Sequence, residues 1–167
     1  MKQGKHQLRW QFCAQSFTGT PVRFTLNNGN YDRNFRIESF EVIFCNMDKT
    51  TNNTSISGKT HQVVLATTES GAQPINVEST NASSYAMRVT DRRQIAWAQM
   101  DDSMVNTILD PHNIVADDLW LNAWAFGSAH DPDMLDQDIG VLITLTEEKQ
   151  SGNEALLTQV RDTAIND

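Results

Sequence analysis

The stretch ADDLWLNAWAFG, residues 116–127, decides how the fold of this 167-residue chain is interpreted. Successive side chains of a β-strand point to opposite faces, and a strand on the surface of a monomer is usually apolar on one face only. Here one parity holds Leu119, Leu121, Ala123 and Ala125, and the other holds Trp120, Asn122, Trp124 and Phe126. Both faces of the predicted strand therefore need a cover, from elsewhere in the chain or from a second copy.

Alternation of apolar and polar residues predicts short strands along the rest of the chain as well, for a total of about eight. They fall at 7–17, 22–26, 35–47, 62–67, 75–77, 85–89, 94–100 and 139–147. The run 35–47 changes parity near Glu38-Ser39, which predicts a bulge. The pair Asn28-Gly29 is typical of a hairpin turn. Residues 101–113 are expected to form one helical turn or an irregular crossing.

The last segment of the chain changes to a helical period. Ser151 and Glu154 match a capping box, and apolar residues follow at helical spacing, which predicts a C-terminal α-helix at about 152–165. No region alternates strands with helices as a parallel α/β fold does. We therefore expect a single domain over residues 1–167: an all-β, antiparallel β-sandwich, jelly-roll-like, with one terminal helix.

Composition and charge exclude several classes of protein. Lys+Arg number 13 against Asp+Glu 21, a net charge of −8 that opposes a dominant nucleic-acid role. No apolar run approaches the roughly 18 residues of a membrane-spanning helix, and MKQGKHQLRWQF lacks the apolar core of a cleaved signal peptide. Synthesis in the cytoplasm is expected. Cys13 and Cys45 lie in apolar-alternating runs and are predicted to be buried free thiols.

The sequence contains no pattern that indicates an enzyme. The four histidines show no close metal-ligand spacing, and nucleophile and nucleotide motifs are absent; the histidines are His6, His61, His112 and His130. We expect no catalytic residues, no cofactor and no metal. An acidic loop does offer carboxylates that calcium could use, at Asp131, Asp133, Asp136 and Asp138. It lacks the glycine and final glutamate of a helix–loop–helix calcium site, so an ordinary solvated loop is favoured.

The tryptophans are the remaining candidates for a functional surface. Trp10, Trp97, Trp120 and Trp124 could stack on sugars, but all lie in strand-like runs where packing in the core or a subunit interface is favoured. Large exposed apolar patches mark contact surfaces, and symmetric self-association is their usual explanation. The interface candidates are Trp120, Trp124 and Phe126, or Leu119 and Leu121 if the register is reversed. The terminal helix is the alternative cover.

The final third of the chain resembles small β-rich structural proteins of marine viruses and phages. The resemblance lies in DPHNIVADDLWLNAWAFG (110–127) and IGVLITLTEEKQSGNEALLTQVRDTAIND (139–167), which give a strand, an acidic loop, a strand and a short helix in that order. It implies a capsid or minor capsid subunit in the virion, made in the host cytoplasm and contacting copies of itself and other virion proteins. The alternatives are a carbohydrate- or other ligand-binding β-sandwich and a small hydrolase or cupin-like enzyme.

Overall fold

The computed structural model of the protein describes residues 4–13, 20–27, 33–45, 60–79, 82–86, 90–101, 104–126, 138–149 and 160. Within these ranges the chain is nearly all β. The ten strands are β1 (Lys5–Phe12), β2 (Val22–Thr25), β3 (Arg33–Cys45), β4 (Thr60–Ala66), β5 (Ile75–Ser79), β6 (Ala82–Ala86), β7 (Gln94–Asp101), β8 (Met104–Leu109), β9 (Asp118–Phe126) and β10 (Asp138–Lys149).

The strands form two antiparallel sheets and a separate hairpin. The three-stranded sheet has the order β1-β10-β3, the five-stranded sheet has the order β2-β9-β4-β7-β8, and β5 pairs with β6. Because β2 and β3 belong to different sheets, the hairpin predicted across Asn28-Gly29 is wrong. The predicted all-β class with antiparallel pairing is confirmed.

One main core takes side chains from both sheets. The period-two pattern accounts for most of its members, which are alternate residues of β3, β4, β7, β9 and β10: Phe35, Ile37, Phe40, Val63, Leu65, Ala96, Ala98, Leu119, Leu121, Ala123, Ile139, Val141, Ile143 and Leu145. We call the sheet faces that supply these residues the inner faces and the opposite ones the outer faces. The predicted bulge is confirmed, since Ser39 pairs with Thr144 and Ile37 with Leu145, and the register skips Glu38.

Between β8 and β9 the chain runs beside β3. Val115 and Phe35 exchange two backbone hydrogen bonds of 2.8 Å. The Asn113 side chain accepts a hydrogen bond from the Ile37 amide at 2.7 Å and donates one to the Ile37 carbonyl at 3.2 Å. An asparagine amide thus takes the place of a backbone peptide group, and this segment extends the three-stranded sheet at β3.

Strand β8, Cys13 and the C-terminal segment differ from the sequence-based predictions or lie outside the described residues. The segment expected to be a helical turn or crossing contains a strand, β8, whose side chains are exposed on both faces, so burial left no periodic pattern in its sequence. Cys13 is exposed, not buried as predicted. The predicted C-terminal helix lies outside the described residues apart from the exposed Val160, and it stays a prediction. No helix in the described ranges is long and apolar enough to cross a membrane.

Candidate functional site

Strand β9 is buried on both faces within one chain. Leu119 and Leu121 are fully buried in the main core. On the outer face Trp124 is 2% exposed and packs in a second cluster with Val64 and Trp97. Trp120 is half-buried, and the Phe126 side chain lies outside what the structure describes. Three of the five interface candidates, Leu119, Leu121 and Trp124, are therefore covered by their own chain.

The cover on the outer face includes the connection that leaves β4, residues 67–74, which we call the covering loop. The Asn122 side chain of β9 donates a 3.0 Å hydrogen bond to the Ala72 carbonyl. The Gln94 side chain of β7 donates a 2.8 Å bond to the Gly71 carbonyl. Ala72 is fully buried, and the β5–β6 hairpin that follows also contacts β9. The loop thus supplies acceptors for amides that the sheet buries.

The outer face under this loop combines tryptophans with amide side chains. The Trp97 indole donates to Gln94 at 2.8 Å, and the Trp124 indole donates to Gln62 at 2.8 Å. Gln62 in turn donates to Gln99 at 3.1 Å. Buried polar groups are costly unless they are hydrogen-bonded, so these pairs allow the indoles to be buried. The sequence predicted core or subunit-interface positions for these tryptophans, but it did not identify their amide partners.

The covering loop is tied to the start of β7 by hydrogen bonds to Arg93, whose side chain forms an ion pair with Asp91. Arg93 contacts both carboxylate oxygens of Asp91, with Nε to Oδ1 at 2.9 Å and Nη2 to Oδ2 at 2.7 Å. The hydrogen bonds that the Arg93 guanidinium donates to Asp91 raise its pKa. The same guanidinium donates to the Ser70 hydroxyl at 3.0 Å, and the Arg93 carbonyl accepts the Thr67 amide at 2.8 Å. The start of the loop and its middle are therefore held to the same residue.

Trp120 lies on the same outer face as Trp124, next to β2 at the far edge of the five-stranded sheet. The Arg23 guanidinium carbon is 5.6 Å from the centre of its ring, a cation–π distance. Arg23 also pairs with Asp118, whose hydrogen bond raises the pKa of the guanidinium. One face of the indole therefore already carries a cation. Trp10, 43% exposed, packs edge-on against Phe24 of β2 at 6.1 Å.

Three of the five exposed large apolar side chains in the described strands cluster on β8. Met104 is 67% exposed, Ile108 58% and Val105 47%. The strand lies at the edge of the five-stranded sheet, and no described strand pairs with its other side. A free edge presents unpaired backbone donors and acceptors, which proteins usually protect with charge or by keeping the strand short. Strand β8 contains no charged residue. We call this surface, Met104–Leu109, the β8 edge.

The other edge strands of the two sheets carry charged residues. Strand β3, at one edge of the three-stranded sheet, has the exposed Glu41 near its exposed Ile43. Strand β2, at the far edge of the five-stranded sheet, has four residues, one of them Arg23. Strand β1, at an edge of the three-stranded sheet, presents the exposed charged residues Lys5 and Arg9. Among the strands described, the β8 edge therefore combines exposed apolar residues with an absence of charge.

The predicted acidic loop is tested only at its end. Asp131, Asp133 and Asp136 lie outside the described residues, and Asp138 is the half-buried first residue of β10. The described residues contain no group of three or more His, Cys, Asp or Glu side chains that could hold a metal ion. The buried His61 packs edge-on against Phe44, with ring centres 6.2 Å apart. The calcium loop stays a prediction.

Two strands of the five-stranded sheet thus differ in exposure. The apolar side chains of β9 are largely covered by the same chain, whereas the β8 edge is exposed and uncharged. The strand order and this difference in exposure are the observations that bear on function. Comparison with models of known protein families and with curated proteins finds no match for the chain.

Proposed function

We propose that the protein is a non-enzymatic structural subunit of a viral particle, a capsid or minor capsid protein with a jelly-roll β-sandwich fold. The strand order carries this proposal. Strands β1 to β4 alternate between the two sheets, β10 returns between β1 and β3, and β9 returns between β2 and β4. The segment that pairs with β3 at Val115 takes the place of a fourth strand in the three-stranded sheet. This order matches the connectivity of a jelly roll, an architecture of viral capsid domains.

Jelly rolls also occur in lectins and cupins, so the surfaces must distinguish the functions. A carbohydrate-binding module would stack sugars on exposed, coplanar tryptophans. Trp97 and Trp124 are buried and hydrogen-bonded inside the protein, and Trp120 carries Arg23 over its ring. These contacts favour the structural subunit over the carbohydrate-binding alternative.

A structural subunit needs contact surfaces, and the β8 edge supports this role better than β9 does. Burial of apolar surface stabilises by about 25 cal/mol per Å² before the costs of association. The exposed side chains of Met104, Val105 and Ile108 offer such surface, whereas the faces of β9 are already covered. We propose copies of the same chain and other virion proteins as its partners, in a virion assembled after synthesis in the host cytoplasm.

Light scattering of the purified full chain over a range of concentrations and salt, followed by electron microscopy, tests the proposal. We expect concentration-dependent oligomers and regular assemblies, together with no hits on a glycan array. A chain that stays monomeric under every condition would overturn the proposal, and glycan binding by such a chain would favour the carbohydrate-binding alternative. A packaging ATPase or other particle proteins encoded beside this chain would support the structural role independently.

A further inference from the structure

We infer that β8 pairs antiparallel with β8 of a second copy across a twofold axis at Asn106, joining two five-stranded sheets into one continuous sheet. This inference rests on the proposed function and names the partner of the β8 edge. The choice of a second copy follows from the sequence of the strand itself, which is self-complementary in one register.

The faces of β8 limit the registers that a symmetric pair can adopt. Trp97, on the outer face of β7, lies directly opposite Ile108. Met104, Asn106 and Ile108 therefore belong to the outer face, and Val105, Thr107 and Leu109 to the inner face. A twofold axis perpendicular to a sheet keeps each face on its own side. Each residue must then lie opposite a residue of the same parity in the second copy.

The register centred on Asn106 satisfies this rule and matches the side chains. It places Met104 opposite the second copy's Ile108, and Val105 opposite the second copy's Thr107. Apolar and β-branched cross-strand pairs of this kind stabilise sheets. The next permitted register, centred on Thr107, would place Met104 opposite Asp110 and Asn106 opposite Ile108, so that each outer-face apolar residue meets a polar one. The first register is therefore favoured.

Charge supplies a second argument. Each copy carries a net charge of −8, so two copies repel unless they meet at a surface that lacks charge. Strand β8 is such a surface, because it contains no charged residue. The net negative charges of the two copies still repel each other at long range. Added salt screens this repulsion, so pairing should strengthen as ionic strength rises.

Cysteine substitutions test the pairing in the full chain with Cys13 and Cys45 replaced by serine. Directly opposite residues of an antiparallel pair have Cα atoms about 4.5–5.5 Å apart, which a disulfide can span. Asn106→Cys should therefore form a disulfide-linked dimer under mild oxidation. In the matched control Thr107→Cys the two Cα atoms lie about 8 Å apart, beyond disulfide reach. We expect at least tenfold slower cross-linking of this control on non-reducing gels.

A second pair of variants measures the same contact without cysteine. Val105→Lys places an ammonium group where the proposed pairing would bury it. The oligomer should therefore shift towards monomer in light scattering. Gln11→Lys adds the same charge at an exposed position of β1 and should leave the oligomer unchanged. Unchanged near-ultraviolet spectra of both variants would show that the fold is retained.

The outcomes separate this inference from the proposed function. If the parent chain assembles but Thr107→Cys cross-links as fast as Asn106→Cys, or neither cross-links, the β8 pairing is overturned and the structural role stands. Weakening of the oligomer by salt would also overturn it, because it would indicate a cationic partner surface instead. A parent chain that is monomeric under all conditions would overturn both.

Discussion

Strands β8 and β9 belong to the same five-stranded sheet, and both carry apolar residues on both parities. The side chains of β9 that face the main core are fully buried, whereas those of β8 are exposed along almost the whole strand. Strand β9 lies between β2 and β4, and β8 lies at the edge. An apolar pattern therefore shows which strands need a cover, and the position in the sheet decides which of them obtain one within the chain.

The covered strand also differs in its polar chemistry. On β9 the outer face includes Asn122 and the Trp124 indole, whose donors find acceptors at Ala72 and Gln62. The bond to Ala72 makes burial of that face selective for one arrangement of the covering loop, because a displaced loop would leave the buried Asn122 donor unpaired. The β8 edge has apolar side chains and unpaired backbone groups, which a strand from any chain of matching register can satisfy.

The largest effect is expected from removing a buried side chain of β9. Leu121→Ala should lower the free energy of unfolding by about 2–5 kcal/mol, because it leaves a cavity in the main core. The matched change on β8, Ile108→Ala, should stay within about 0.5 kcal/mol in the monomer, because the side chain is exposed. Urea denaturation followed by tryptophan fluorescence measures both. Equal losses would contradict the contrast between the two strands.

The next effect concerns the amides under the covering loop. Gln94→Leu removes the donor to the Gly71 carbonyl and the acceptor of the Trp97 indole, so two buried groups lose a partner. We expect a loss of about 1–3 kcal/mol in the free energy of unfolding. Hydrogen exchange should also show reduced protection of the Ala72 amide. Asn106→Ala on the exposed β8 edge is the control, and a similar loss there would refute this account of the cover.

A glycine substitution tests how closely the covering loop packs. A Cβ on Gly71 would lie 2.8 Å from the Cβ of Arg93 and 3.0 Å from the Thr68 hydroxyl, so Gly71→Ala should cost about 1–3 kcal/mol in urea denaturation. Gly4→Ala is the matched control. Its Cβ would meet the ends of the His6 and Glu147 side chains at 3.2 and 3.5 Å, and those can move aside. A loss at Gly4 that equals the loss at Gly71 would contradict close packing of the loop.

The smallest effect is expected from a substitution of Asp117, which lies directly before β9. Partial desolvation of the carboxyl, followed by the charge of Asp118, raises the pKa of the exposed Asp117 above its ordinary value of 3.8. The folded protein therefore binds this proton more tightly than the unfolded chain does. Stability contributed by this group is greatest below the ordinary pKa and declines as pH rises through the raised one. Asp117→Asn should raise the melting temperature slightly at pH 7.

The pH dependence identifies the cause of that effect. The difference in melting temperature between Asp117→Asn and the parent should shrink as the pH falls towards about 4, where the parent carboxyl becomes protonated. Thermal scans at several pH values measure it. A difference that does not change with pH would rule out the Asp117 carboxylate as its source.

Features that depend on local patterns were predictable. The strand at 118–126 has the predicted bounds, and the parity change in β3 located the bulge at Glu38. Both are visible in the sequence because apolar residues of the inner face recur at every second position. An interruption of this alternation marks an extra residue. Strand β8 was missed because exposure on both faces gave it no such repeat. The β8 edge, the proposed contact surface, was therefore missed as well.

Features that depend on distant contacts were not predictable. Asn122 meets Ala72 across 50 positions of the chain, and Trp124 meets Gln62 across 62. An asparagine or glutamine within an apolar strand could have signalled a buried amide, but nothing local names its partner. The same holds for Asn113, which takes a backbone role beside Ile37 across 76 positions.

The sequence by itself determined that the chain is built from antiparallel strands and that residues 118–126 need a cover on both faces, because side-chain alternation along a strand is a local property. Only the tertiary structure decided what provides that cover. The connection after β4 turns back and contacts β7 and β9, and its carbonyls accept the amides buried there. The strand order then leaves β8 at the edge, where its backbone and apolar side chains face outward.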